Sequence, residues 1–277
     1  MLRAATVALV ALPGLFGLAG LSGPAPLFGS TARAGQALPA PGWERVDLPG
    51  AGTYAWRYLP VSASPSDPLP VVVFLHGSGA TPELWRPFLS GPAEATGAVV
   101  IAPAPADLDW GLGDDQATIS EALTRVGSEL PLDRARIGLA GHSAGGAYAY
   151  FLAYETVGRF SAVFAFSAPF RFVLGVADPR YTAPLRLWYG TLDPNYLGGQ
   201  FAAIALMMSN RGVPVDSRIV PGLGHDDIRQ EDLTSGFAFL LAHRYPLKNT
   251  LSPKSGTPIR IQPRPRAHSG SSPGSQR

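Results

Sequence analysis

Ser143 stands in the stretch Gly-His-Ser-Ala-Gly, residues 141–145, between an apolar run and an alanine- and aromatic-rich one. A serine hydroxyl is a weak nucleophile at neutral pH and needs a base that titrates near that pH, which points first to histidine. Five histidines compete for the role. His142 adjoins Ser143, so the two side chains diverge at a turn, and it is expected to pack beside the serine. His76 falls in a glycine turn, His243 on the last expected helix and His268 in a basic tail. His225, in Val-Pro-Gly-Leu-Gly-His-Asp-Asp-Ile, follows the last expected strand in a glycine-containing loop and is the candidate base. Such a base needs a carboxylate to hold its tautomer and stabilise the imidazolium. Asp193, in Gly-Thr-Leu-Asp-Pro, ends the strand before that one and is the candidate. Asp226 and Asp227 adjoin His225, but adjacency does not deliver a lateral bond to the ring, and Asp178 lies in an earlier loop. A tight turn without chemistry is the competing reading of Ser143.

Acyl transfer also requires backbone donors aimed at the developing oxyanion. Phe-Leu-His-Gly-Ser-Gly-Ala-Thr, residues 74–81, supplies a glycine turn after the first parallel strand. One N–H is expected from Ser78 and the other from Ala144, directly after the nucleophile, with His76 ordering the turn.

Residues brought together from positions 78, 143, 193 and 225 need a scaffold that gathers loop ends. Short β-branched runs at 71–75, 98–102, 136–140, 161–166, 185–189 and 217–220 alternate with helical patterns near 82–96, 114–129, 143–156, 197–211 and 231–244. Strands this uniformly apolar are buried on both faces, and the alternation predicts a mostly parallel sheet covered by helices. Gly-Trp-Glu-Arg-Val-Asp-Leu-Pro and Thr-Tyr-Ala-Trp-Arg-Tyr-Leu-Pro read as two earlier strands forming an antiparallel edge. Every suspicious polar residue falls at the C-terminal end of a strand, where open α/β sheets collect ligands.

The ends of the chain differ from its middle. Residues 1–34, with Arg3, an apolar run and Ala-Arg-Ala at 32–34, read as a secretory signal, which leaves a catalytic domain at 35–246 and places it outside the cell or in its envelope. An uncleaved membrane anchor is the alternative. Residues 247–277 are rich in Ser, Pro, Gly and Arg without apolar periodicity and are expected to form a disordered tail. Six of the 22 Lys and Arg fall there with no acid, so the remaining sixteen against 20 Asp and Glu give residues 1–246 a charge of −4. The tail could hold the enzyme weakly to an anionic surface.

Cysteine is absent, so there is neither a disulfide framework nor a thiolate metal site, and the histidines lack ligand spacing. No metal and no cofactor are expected. Gly-Ser-Gly-Ala-Thr-Pro-Glu lacks the lysine of a phosphate-binding loop, and no basic patch in residues 35–246 suggests nucleic acid.

Leu-His-Gly-Ser-Gly-Ala-Thr-Pro-Glu-Leu-Trp, the helical segment 114–126, Gly-His-Ser-Ala-Gly-Gly, Tyr-Gly-Thr-Leu-Asp-Pro and Pro-Gly-Leu-Gly-His-Asp-Asp, in that order over residues 71–244, resemble the α/β-hydrolase superfamily. The resemblance is strongest to its small serine esterases: the phospholipase/carboxylesterase group and its polyhydroxybutyrate-depolymerase-like and feruloyl-esterase-like relatives. It implies the α/β-hydrolase fold, a Ser143–Asp193–His225 triad, and Ser78 and Ala144 as oxyanion donors. The elbow Gly-His-Ser-Ala-Gly-Gly departs from the Gln- or Asn-containing elbows common in those groups, so it assigns no substrate by subfamily.

Only 17 residues separate Ser167 from Leu185, too few for a large cap domain, which takes about 50 residues. An open site is therefore expected, lined by Trp85, Trp110, Phe170 and Tyr196. The expectation is an exported serine hydrolase acting on small or polymeric carboxylic esters. An acyltransferase or peptidase with the same triad, and a non-catalytic envelope-binding protein on the same scaffold, remain alternatives.

Overall fold

In the computed structural model, which describes residues 37–107, 109–111, 115–155, 160–173, 175 and 181–247, one eight-stranded sheet carries the chain. The expected signal segment, Asp114, Asp178, His268 and the tail beyond Leu247 lie outside the described residues. Two strands, β1 (Gly42–Leu48) and β2 (Thr53–Leu59), come first, followed by β3 (Leu69–Leu75), α1 (Pro82–Thr96), β4 (Val99–Pro103), α2 (Asp115–Glu129) and β5 (Leu132–His142). Then come α3 (Ser143–Glu155), β6 (Val163–Phe166), β7 (Leu185–Gly190), α4 (Pro194–Leu197), α5 (Gln200–Asn210), β8 (Val215–Val220) and α6 (Gln230–Leu241). The strand order is β1-β2-β4-β3-β5-β6-β7-β8. β1 pairs antiparallel with β2 and β2 with β4, while β4, β3, β5, β6, β7 and β8 run parallel. The expected antiparallel edge and parallel body are both present.

The centre of the sheet is apolar on both sides because helices cover both. Successive side chains of β3 point to opposite faces. Val71, Val73 and Leu75 join a core with Ile119, Leu123 and Val126 of α2, Tyr150 and Leu152 of α3 and Ile204 and Met208 of α5. Val72 and Phe74 join a second core with Leu89 and Ala93 of α1 and Leu233, Phe237 and Leu240 of α6. Each Val, Leu, Ile, Phe or Met side chain among them contributes about 1.5–3 kcal/mol by leaving water. α6 crosses β6 so closely that a Cβ on Gly236 would stand 2.1 Å from Phe164 Cε1, so Gly236→Ala would force the helix off the sheet.

Two elements differ from the sequence expectation. β5 begins at Leu132, because Asp133 accepts from Arg136 Nε and from the Ala135 N–H and so seats polar residues within a strand. The helix expected at 197–211 begins only at Gln200, as α5, because Gly198 and Gly199, the latter with φ +74°, separate it from the short α4, which the sequence did not lead us to expect. Between β6 and β7 no helical cap occurs among the described residues, and none of the described helices is long and apolar enough to cross a membrane.

Candidate active site

The parallel strands β3, β5, β6, β7 and β8 all end at one edge of the sheet, and each delivers a polar residue there. β5 passes directly into α3 at Ser143, which adopts φ +50°, a left-handed backbone that a non-glycine residue takes only under constraint. The constraint is the tight strand-to-helix turn. A Cβ on Gly145 would lie 2.2 Å from the Leu75 carbonyl oxygen, and one on Gly141 would lie 2.5 Å from Gly145 C. Glycines therefore let α3 start against β3 and raise the Ser143 hydroxyl above the sheet, the geometry of a nucleophile elbow.

His225 lies five residues beyond β8, and its side chain is 29% exposed. Its Nδ1 is 3.0 Å from Asp193 Oδ1, and its Nε2 is 3.0 Å from Ser143 Oγ. A carboxylate accepts only, so Nδ1–H donates to Asp193 and Nε2 keeps the lone pair that accepts from the serine hydroxyl. Asp193 is fully buried and caps α4, its Oδ1 accepting also from the Asn195 N–H at 2.8 Å. The loops bearing the two residues are tied together, with Leu192 N–H donating to the Leu223 carbonyl at 2.9 Å.

Two further residues steer His225, one of them unanticipated from the sequence. Ser167, at the end of β6, is fully buried with φ +53°, and its hydroxyl donates to the His225 carbonyl at 2.8 Å. Asn195 Nδ2–H holds the Ser167 carbonyl at 2.7 Å. A serine at a strand end was visible in the sequence, but its left-handed backbone was not. His142 does pack beside the elbow, against Trp85 and Phe166, and its Nε2–H also donates to the His225 carbonyl at 3.1 Å. Burial lowers its pKa and that of His76, so both are held toward the neutral imidazole. Although the histidines lack ligand spacing in the sequence, the turn and the β8–α6 loop bring the His142 and His225 rings to 5.0 Å, with Asp226 alongside.

The loop after β3 lies against the serine, a Cβ on Gly77 falling 3.2 Å from Ser143 Cβ. His76 orders this loop through Nδ1–H to the Gly77 carbonyl at 2.9 Å, and Ala80 N–H closes the turn onto the same carbonyl. The Ser78 hydroxyl turns away to Asp109 at 2.6 Å. Ala144 sits in the first turn of α3, where backbone N–H groups have no intrahelical acceptor.

A cleft of about 440 Å³ opens over Ser143 and His225, walled by Leu84, Trp85 and Phe88 of α1 and by Ile228. Of the four aromatics expected to line the site, Trp85 does so. Trp110 does not line this cleft: it is buried, its indole N–H donates to the His76 carbonyl at 2.8 Å, and its ring stacks on Tyr148. Tyr196 packs on Phe201, and Phe170 is exposed outside this cleft, its N–H held by Gln200. Packing decided these positions, and composition could not distinguish it from substrate contact. Leu84 and Phe88, which the sequence reading passed over, lie one turn apart on the exposed side of α1.

Among solved structures the chain is similar to S-formylglutathione hydrolase from Staphylococcus aureus, with a TM-score of 0.59 at 18% identity, covering 74% of this chain and 99% of that one. It is similar also to a ferulic acid esterase (TM-score 0.57, 21% identity, 68% and 91% covered). A hyperthermophilic esterase from the archaeon Pyrobaculum calidifontis matches with a TM-score of 0.56 at 19% identity, covering 76% of this chain and 85% of that one. At these identities the likeness is one of fold. No curated protein matches in sequence. The family model described as alpha/beta hydrolase family matches residues 72–253, a stretch that runs from β3 past the end of α6. Since that match takes in well over half of the sequence, the chain belongs to the alpha/beta hydrolase family.

Proposed function

We propose that this protein is a serine hydrolase of carboxylic esters, working through Ser143, His225 and Asp193 and an acyl-enzyme. The observation that carries the reading is the unbroken chain of hydrogen bonds from Ser143 Oγ through His225 to buried Asp193, 3.0 Å at each step, with the serine on a strained elbow. His225 Nε2 takes the Ser143 proton as Oγ attacks the ester carbonyl, and the resulting imidazolium faces the Asp193 carboxylate. The N–H groups of Ser78 and Ala144 receive the oxyanion. His225 then protonates the departing alcohol, and a water molecule, deprotonated by the same nitrogen, releases the acid. The esterase names of the structural neighbours are in keeping with this choice of substrate.

The apolar wall of Leu84, Trp85, Phe88 and Ile228 suits the acyl or alcohol portion of an uncharged ester, and the cleft's openness to solvent suits a soluble one. The composition of residues 1–34 supports export to the envelope or beyond. A panel of chromogenic esters of increasing acyl length tests the reading, with Ser143→Ala as its control. Turnover that falls by about 10⁴-fold or more in folded Ser143→Ala supports it. Near-wild-type turnover in that variant overturns it.

A further inference from the structure

His142 ends β5, and His225 and Asp226 lie in the β8–α6 loop, yet each offers a ligand atom within 4.8 Å of the others. His142 Nε2 lies 3.4 Å from Asp226 Oδ1, and the two imidazoles stand with ring centroids 5.0 Å apart. Two imidazoles and one carboxylate, with a fourth position open to water, form the donor set that suits Zn²⁺ in tetrahedral coordination. The Asp226 side chain is 84% exposed, and the group borders the solvent-open cleft, so an ion has a path in. The outer support is also present: His225 donates Nδ1–H to buried Asp193, as metal-bound histidines characteristically donate their second N–H to a carboxylate.

The geometry points to an inhibitory zinc site at the mouth of the cleft, in which His142, His225 and Asp226 bind a divalent transition-metal ion and remove the base from Ser143. The His225 Nε2 lone pair that accepts from the serine hydroxyl is the one the ion takes, so ligation and proton abstraction exclude each other. His142 gives up its Nε2–H bond to the His225 carbonyl and carries its proton on Nδ1 instead. No bond of substrate or protein is made or broken, and removal of the ion restores the enzyme. Mg²⁺, which prefers oxygen ligands and keeps its waters, does not replace zinc there. The inhibition rests on the hydrolase reading above; the binding does not.

Two titrations test the site on the full chain. In the first, ester turnover is titrated with Zn²⁺ for wild type and Asp226→Asn, each normalised to its own zinc-free rate. In the second, Zn²⁺ binding to Ser143→Ala protein is followed by calorimetry, with and without Asp226→Asn and His142→Gln. The expected results are reversible inhibition of wild type by Zn²⁺ but not Mg²⁺, reversal by EDTA, and an increase of at least about tenfold in the half-inhibiting zinc concentration for Asp226→Asn. Zinc should bind Ser143→Ala and lose affinity by a similar factor when Asp226 is changed. Equal zinc sensitivity of wild type and Asp226→Asn, or binding that Asp226→Asn leaves untouched, overturns the site. Zinc binding lost in Asp226→Asn, in a protein that turns over no ester, upholds the metal site and overturns the hydrolase reading alone.

Discussion

Replacing Asp193 by Asn isolates the charge of the carboxylate from its position. Oδ1 accepts two N–H groups, from His225 at 3.0 Å and Asn195 at 2.8 Å, so an amide side chain keeps both bonds by placing its carbonyl there. The histidine tautomer is then unchanged, and the amide nitrogen falls where Oδ2 now sits, buried and without a partner among the described residues. What is lost is the attraction between the carboxylate and the imidazolium that forms as Ser143 is deprotonated. At an effective dielectric constant of about 20 that attraction is about 4 kcal/mol for charges about 4 Å apart and about 5.5 kcal/mol at 3.0 Å, the Nδ1–Oδ1 separation. With about 1.36 kcal/mol per tenfold, the expected loss is about three to four orders of magnitude in kcat. KM should change little, because the imidazolium exists in the transition state and not in the bound substrate complex. The assay is steady-state hydrolysis of a soluble chromogenic ester, with circular dichroism to show that the variant is folded. A loss of less than tenfold in folded Asp193→Asn would refute the argument that this carboxylate stabilises the working imidazolium.

Three other outcomes follow from contacts around the site. Ser167→Ala removes the 2.8 Å bond to the His225 carbonyl, worth about 1 kcal/mol, and should lower kcat about fivefold with little change in KM; an unchanged kcat would show that the bonds from His142 and Leu192 suffice to hold the loop. His76 and His142 have pKa values lowered by burial from 6.5, so below that pH the unfolded chain takes up protons that the fold does not. Stability is therefore complete above pH 6.5 and declines as pH falls toward the lowered folded values, by at most about 1.4 kcal/mol per pH unit for each group. Thermal melts from pH 7 to 5 should show this decline shallower in His142→Gln than in wild type, and parallel curves would contradict it. Truncation after Pro246 should leave kcat/KM on a small soluble ester unchanged, since Ser143, Asp193 and His225 all precede it; loss of that activity would mean that the tail packs on the catalytic domain.

How much of this was legible before the structure depended on whether a residue's role was local. The run Val71–Leu75 is apolar at every position, and only burial on both faces explains that, so the parallel centre of the sheet followed. Ser143, Asp193 and His225 could be chosen because each ends or follows a strand and because glycines or proline mark the turns. The Gly198–Gly199 pair was a visible helix break, yet the apolar pattern to either side masked it. Ser167 could not be found, since its function lies in a backbone angle and in a bond to a carbonyl 58 positions away. Trp110 and Trp85 look alike in sequence. Only three-dimensional packing sends one beneath the His76 loop and the other into the wall of the cleft. The pairing of His142 with His225 was hidden for a related reason: chain separation shows that His142 adjoins Ser143, but not that its ring meets a loop 83 residues on.

The most direct test of the central claim is to treat the protein with a fluorophosphonate and identify the modified residue by mass spectrometry. An adduct on Ser143 that forms in wild type and fails to form at a comparable rate in folded His225→Ala is the result predicted by a serine activated through its 3.0 Å bond to His225. An adduct on another residue, or equal labelling of Ser143 with and without His225, would contradict it.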